Sequence, residues 1–459
     1  MTKKHGHGQG ELIPRSKRPT IPIDSSHQLA VLADELNWDE LLDLAEEIRS
    51  TKVKNNAGRP PHLRALVGAL LLKATRDLTF RQAEDLIRYY APARYLCGLT
   101  ETEWSPDHNT LHDFEVLLGE EGVRLVNEYV VKLALKERLT FSSLAVGDTT
   151  AQEAAIPYPN EMKLMAAFLS SVASAGARAG RKLREFVSGT GEQFQQAKQT
   201  LREFLLFGTT SERRRQGMAQ MITHVRAVLG KLGQTLEGLS PQLRGYAKVA
   251  FTRVQKLHQV MERLLPQIEH WHRTGRVARR KIISLVMPKL YSVLRGKMGK
   301  QIEFGLNWGI TRLKGGFVLA HVAADRQELS DIRYAVKSVE ECKRLFGRAP
   351  IAYAYDRAGH STANVAKLRE LGVCQIGLAP RGRLAWEVEG ATKRRLISER
   401  IRIEGSIGTF KSRRFGFNRP RARSEGMMGA CGQRAVLGMN LSRLAKGLAD
   451  RAGFQLAPN

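Results

Sequence analysis

Cysteine is scarce in this chain: Cys97, Cys342, Cys374 and Cys431 are the four among 459 residues, far apart and without a CxxC pair. That spacing indicates neither a disulfide framework nor a zinc site built on paired thiols, and it fits a reducing cytoplasm. Long apolar runs are absent too, since none approaches the ~18 residues that a membrane helix requires. The N-terminal MTKKHGHGQGELIPRSKRP is basic and polar and lacks the apolar core of a secretory signal. The expectation is a cytoplasmic protein with no membrane partner. His5 and His7 lie in this tail, where a solvated segment is a simpler reading than metal binding. No GxxxxGK[ST] loop occurs, so no nucleotide cofactor is expected.

Negative charge is also in short supply, with 45 acidic residues against 73 lysines and arginines and a formal net charge of +28. Such an excess points to a polyanionic partner. It is concentrated: residues 178–300 hold 25 lysines and arginines, seven glutamates and no aspartate. A solvated helix face explains some of this, but the rest of the chain lacks the bias, which favours nucleic-acid contact over a membrane surface.

Hydrophobic residues make up 42% of the chain, enough for real cores in two or three domains. After a basic tail (1–24), residues 25–138 read as all-helical. Leu29, Leu32, Leu36, Leu41, Leu42 and Leu44 fall at helical spacing, and Thr79 with Gln82 forms a capping-box pattern before FRQAEDLIRYY. This domain suits DNA reading, in helix-turn-helix fashion, or dimerisation. Period then changes: LTFSSLAVGD (139–148) reads as a strand ending in Asp148, and AAIPYP as a short second piece. From about 161 to 295 the pattern is helical, a basic insertion. Beyond 301 come a β-hairpin around Gly315-Gly316, a helix from about Glu328 to Phe346, a strand IAYAYD ending in Asp356, a helix opened by Ser361, a strand VCQIGLAP and two closing helices. Gly405 and Gly408 weaken the first of those closing helices.

With the insertion set aside, residues 139–160 and 296–450 alternate strand and helix in the order of a ribonuclease H-like mixed sheet flanked by helices. The fold class is therefore α/β, interrupted by a long helical insertion and preceded by an all-α domain. Acids occupy three informative places: Asp148 after the first strand, Asp356 after the central strand, and Glu404 on the late helix. Phosphodiester transfer uses two metal ions about 4 Å apart, and Mg2+ takes hard oxygen ligands, so carboxylates converging from adjacent strands and a helix suit it. Singly, each acid has a plainer reading: Asp148 and Asp356 as turn-forming residues, Glu404 as an ion-pair partner.

Four segments carry a family resemblance: VGDTTAQEAAIPYPNEMKL around Asp148, RGKMGKQIEFG at 295–305, YAYDRAGHS around Asp356, and RIRIEGSIGTFKSRRFGFNRPRARSEG around Glu404. In these the chain resembles DDE transposases of bacterial insertion sequences, in the branch with a helical N-terminal transposase domain. The resemblance selects Asp356 over Asp325. It also matches Arg400, Glu404 and Lys411 to a tyrosine-arginine-glutamate-lysine pattern in which Ile397 stands where the tyrosine would be. It implies catalysis and metal binding by Asp148, Asp356 and Glu404, with Arg400 and Lys411 beside the phosphate. Two Mg2+ ions, replaceable by Mn2+, are the implied cofactors. Hydrolysis at the transposon ends would be followed by joining of the freed 3′ hydroxyl to target DNA.

Lys411, Arg413, Arg414, Arg419, Arg421 and Arg423 are candidates to hold the DNA backbone. The implied partners are double-stranded DNA and further copies of the chain in a dimer or larger synaptic assembly, in a bacterial cytoplasm at the nucleoid. A nuclease or resolvase without strand transfer would need the same acids, and a non-catalytic DNA-binding protein would need none. His270, Trp271 and His272 read as helix packing before base stacking, and Trp308 and Tyr355 as core.

Overall fold

The computed structural model describes residues 22–53, 61–102, 104–237, 239, 243–294, 302–323, 329–380, 382, 385–453 and 456. Asp325, most of the N-terminal tail and the segment 295–301 lie outside them. Among the described residues the chain forms fifteen α-helices and one mixed six-stranded sheet, and no helix is long and apolar enough to cross a membrane. It divides into two compact units, one comprising the residues up to Lys73, Leu78–Phe114 and Leu441 onward, the other Ala74–Asp77 and Glu115–Asn440.

The first unit is helical. It contains α1 (Gln28–Glu35), α2 (Trp38–Lys52), α3 (Leu63–Thr75, which ends in the second unit), α4 (Phe80–Tyr89) and α5 (Ala91–Leu96). The sequence sets these boundaries through local hydrogen bonds. Asn37 accepts from the Glu40 amide to open α2, and Thr79 and Gln82 close the expected capping box on α4. Leu29, Leu32, Leu36 and Leu41 are buried, while Leu42 and Leu44 are half-buried at the edge of the apolar stripe. The unit boundary falls inside α6 (His108–Lys136), a helix interrupted at Gly119, whose φ of 63° lies in the left-handed region that glycine adopts without penalty.

In the second unit β1 (Phe141–Glu153) precedes the insertion, which consists of α7 (Glu161–Gly176), α8 (Arg181–Gly189), α9 (Gly191–Phe207), α10 (Ser211–Glu237) and α11 (Gly245–Thr274). These helices enclose a core of their own, with Met165, Phe168, Met221, Val225, Phe251, Met261 and Leu264 almost fully buried. The helical pattern stops earlier than the sequence suggests. Gly275, at φ 68°, caps α11, and Tyr291–Leu294 forms a strand, β2. The reason is a partner: YSVL lies antiparallel to β3 (Ile302–Lys314), which supplies backbone groups that helix periodicity cannot reveal.

The remaining elements are β4 (Val318–Val322), α12 (Asp331–Phe346), β5 (Ala352–Tyr355), α13 (Thr362–Leu371), β6 (Gln375–Leu378), α14 (Gly390–Phe410) and α15 (Glu425–Ala452, whose last residues lie in the first unit). The sheet runs β2-β3-β1-β5-β6, with β4 also on β3. β1 is antiparallel to β3 and parallel to β5, and β5 is parallel to β6. Strand β1 is longer than expected. It pairs with β3 through Glu153, so Asp148 lies within the strand rather than at its end. Helix α14 also runs unbroken through Gly405 and Gly408, because Leu396, Ile403 and Phe410, seven residues apart, bury against the sheet and outweigh the two glycines.

Candidate active site

The register of two strands brings the aspartates together. β1 and β5 pair in parallel, Leu144, Ala145 and Val146 opposite Ala352, Tyr353 and Ala354. Continued two residues beyond the last pair, that register leads to Asp148 and Asp356, and Asp356 is near enough to disfavour the ionised form of Asp148. Alternation puts both on the face of Leu144, Val146, Ala352 and Ala354, whose side chains share a core with Leu396, Ile403 and Phe410 of α14. The two acids therefore face the helix that carries Glu404.

Helix α14 is held on that face by a buried ion pair that the sequence reading missed. Arg312 of β3, opposite Val146, places Nη1 2.7 Å from Glu399 Oε2, and Arg402 donates to the other carboxylate oxygen at 2.7 Å. Glu404 follows Ile403 and is exposed at the rim. Arg400, one turn earlier, is near enough to Asp356 to favour its ionised form.

A fourth acid also belongs here. Asp331, the first residue of α12, accepts hydrogen bonds from Thr149 Oγ1 at 2.7 Å and Tyr355 Oη at 3.1 Å. The Ser330-Asp331 pair before an amphipathic helix was the available signal, since Ser is a common N-cap and an acid is favoured in the first turn. Its proximity to the strand ends was not readable locally.

The electrostatics follow from burial among like charges. Asp148 is pushed up to about 7, chiefly by burial and also by Asp356, Asp331 and Glu404, while the Thr149 amide, 2.7 Å from Oδ1, favours the carboxylate. Burial and then Asp331 raise Asp356, opposed by the amides of Ala358 and Gly359, at 2.9 and 3.3 Å, and by Arg400. Asp356 thus also caps a single 3-10 turn, Arg357–Gly359, which is the plainer role its sequence suggests. A set of hard oxygen donors that repel one another suits divalent cations. Among the described residues, however, no three His, Cys, Asp or Glu groups form a ready cage for a metal ion.

The tyrosines beneath the acids fix the opposite face of the sheet. Tyr353 and Tyr355 are fully buried, Tyr353 Oη lies 2.5 Å from Ser338 Oγ, and Tyr334 Oη lies 2.8 Å from Thr311 Oγ1. Glycine makes room for them: a β-carbon at position 147 would stand 2.3 Å from Tyr353 Oη, and one at 309 would stand 2.0 Å from the Tyr334 ring. Trp308 is buried as expected, and Trp271 packs on the insertion core.

The remaining cations separate by environment. Lys411, about 10 Å along α14 from Glu404 by helical rise, caps that helix with Nζ 5.8 Å over the Phe417 ring. Arg414 donates to Thr75 O at 3.4 Å, and Arg419 binds Glu153 Oε1 through Nε and Nη2 at 2.9 and 2.8 Å. Arg413, Arg421 and Arg423 are exposed.

No curated protein and no solved structure matches the chain. Residues 20–116 match the family described as Transposase domain (DUF772), so the helical N-terminal region is similar to a transposase domain and points to a transposase role.

Proposed function

We propose that the chain is a DDE transposase whose second unit is a ribonuclease H-like catalytic domain, with Asp148, Asp356 and Glu404 as its metal-holding acids. The observation that supports this most is the β1–β5 register, which sets two aspartates 208 residues apart against each other on the face covered by the Glu404 helix. Burying mutually repelling carboxylates is costly unless cations accompany them. Mg2+ binds through one or two carboxylates together with waters and substrate phosphates, so an open set of acids suits it better than a closed cage. Two such ions, or Mn2+ in their place, would supply the charge stabilisation and Lewis acidity of phosphodiester transfer.

The chain's own groups then position the substrate. Arg400 balances Asp356 and faces the phosphate, Lys411 extends the same helix face, and Arg413, Arg421 and Arg423 hold backbone. Arg414 and Arg419 serve chiefly to shape the segment after α14. The strongly basic insertion provides further backbone contact, and a dimer or larger assembly brings two ends together. The test is incubation of the full chain with Mg2+ and DNA carrying the ends that flank its gene. Nicked ends joined to target DNA support the reading, whereas Mg2+-dependent cuts without joining would make it a nuclease. Binding without cutting would make it a non-catalytic DNA-binding protein.

A further inference from the structure

The insertion carries a feature for which the acids have no use. α9 and α10 form a hairpin, and at its end Leu205, Leu206 and Phe207 stand 58%, 58% and 59% exposed in an unbroken row. A contiguous apolar patch of this kind marks an interaction surface. Directly across the turn, Arg213, Arg214 and Arg215 are exposed in the first turns of α10. Arg214 Nε donates to Gly208 O at 2.6 Å. Cations at a helix N-terminus oppose the helix dipole, so the charges of Arg213 and Arg215 do not favour α10.

Between the two helices, bordered by Phe207 and Arg213, lies a recess of about 280 Å3 whose lining includes Glu203, Phe204, Gln216 and Gln220. Phe204 rests on the insertion core, and Gly217 keeps the floor open, since a β-carbon there would stand 3.2 Å from the Phe204 ring. Phe207 has no comparable packing role. Ligand pockets run upward from about 300 Å3, so this one suits a single ring system rather than a coenzyme. Its lining offers an aromatic face for stacking, two amides able to donate and accept, a guanidinium for phosphate, and one carboxylate, Glu203, which accepts from Gln199 Nε2 at 2.9 Å.

We propose that this recess takes one unpaired nucleobase of DNA, stacked on Phe207, hydrogen-bonded along its edge by Gln216 and Gln220, with Arg213 on the flanking phosphate. The charge of the insertion argues for a polyanion over an apolar partner, with 25 basic residues against seven acidic ones in residues 178–300. The inference rests on the chain acting on DNA, but not on the acid cluster.

The test uses the full chain in EDTA and two short duplexes of one sequence, fully paired or carrying a single unpaired 2-aminopurine. The wild type is expected to bind the duplex with the unpaired base more tightly and to quench its emission. Phe207→Ala should lose roughly tenfold in affinity for that duplex, with paired-duplex binding and melting temperature unchanged, because the ring is exposed. Arg213→Ala should weaken both duplexes. Equal binding of the two duplexes by the wild type, or an unchanged Phe207→Ala, overturns the inference while leaving the transposase reading intact. So would loss of self-association in Phe207→Ala with unaltered DNA affinity, which would assign the patch to a second copy. Failure to bind either duplex would instead count against the proposed function itself.

Discussion

Replacing Asp148 by asparagine should stabilise the metal-free protein, and by an amount that depends on pH. Asp148 moves from an ordinary 3.8 to about 7 on folding, chiefly by burial. At 1.36 kcal/mol per unit this is on the order of 4 kcal/mol of stability. Because the folded value is raised, the wild type carries no penalty below the unfolded value. It loses stability as pH rises from about 4 through about 7, and bears the full cost above that. The asparagine amide keeps the shape of the carboxyl and can still accept from the Thr149 backbone, so Asp148→Asn should show little of this loss. Urea unfolding in EDTA at pH 4 and pH 8 measures the difference: similar stability at the lower pH and a gain of several kcal/mol for the variant at the higher. Added Mg2+ should restore the wild type at pH 8 and do less for the variant. Parallel pH profiles for the two proteins would refute the electrostatic reading of the site.

Other consequences are as specific. Asp148→Asn, Asp356→Asn and Glu404→Gln should each abolish Mg2+-dependent end cleavage in a gel assay while largely sparing DNA binding, and unchanged cleavage in any one removes that residue from the site. Arg312→Met leaves Glu399 buried without its β3 partner and should cost about 3–5 kcal/mol in chemical denaturation. The double variant Arg312→Met, Glu399→Leu should recover most of it. Gly147→Ala should cost roughly 1–3 kcal/mol by overpacking, since its β-carbon would press on Tyr353 Oη. Alanine at Arg413, Arg421 or Arg423 should each lower the salt slope of DNA binding by about 1, the mark of a single lost phosphate contact.

Local chemistry was legible in the sequence wherever it decides the structure locally. The Thr79–Gln82 capping box, the Ser361 cap of α13, the hairpin at Gly315-Gly316 and the short apolar strands β5 and β6 all lie close to where their residues indicate. What could not be read depends on partners far along the chain. β2 exists because β3 offers an edge, and β1 continues past Asp148 because β3 is equally long. The acid site shows the same division. The sequence nominated Asp148, Asp356 and Glu404, and the β1–β5 register supplies a reason for the first two to meet. Asp331 and the Arg312–Glu399 pair were missed, because each is defined by cross-strand and helix-to-sheet distances with no periodic signature.

The most direct test of the acid cluster is to let the metal mark its own position. With Fe2+ in place of Mg2+, ascorbate and peroxide generate radicals that cut the backbone close to the bound ion, and mass spectrometry of the fragments locates the cuts. Cuts are expected beside Asp148, Asp331, Asp356 and Glu404, suppressed by excess Mg2+ and lost in Asp148→Asn. Cuts confined to other segments, such as the tail bearing His5 and His7, would contradict it.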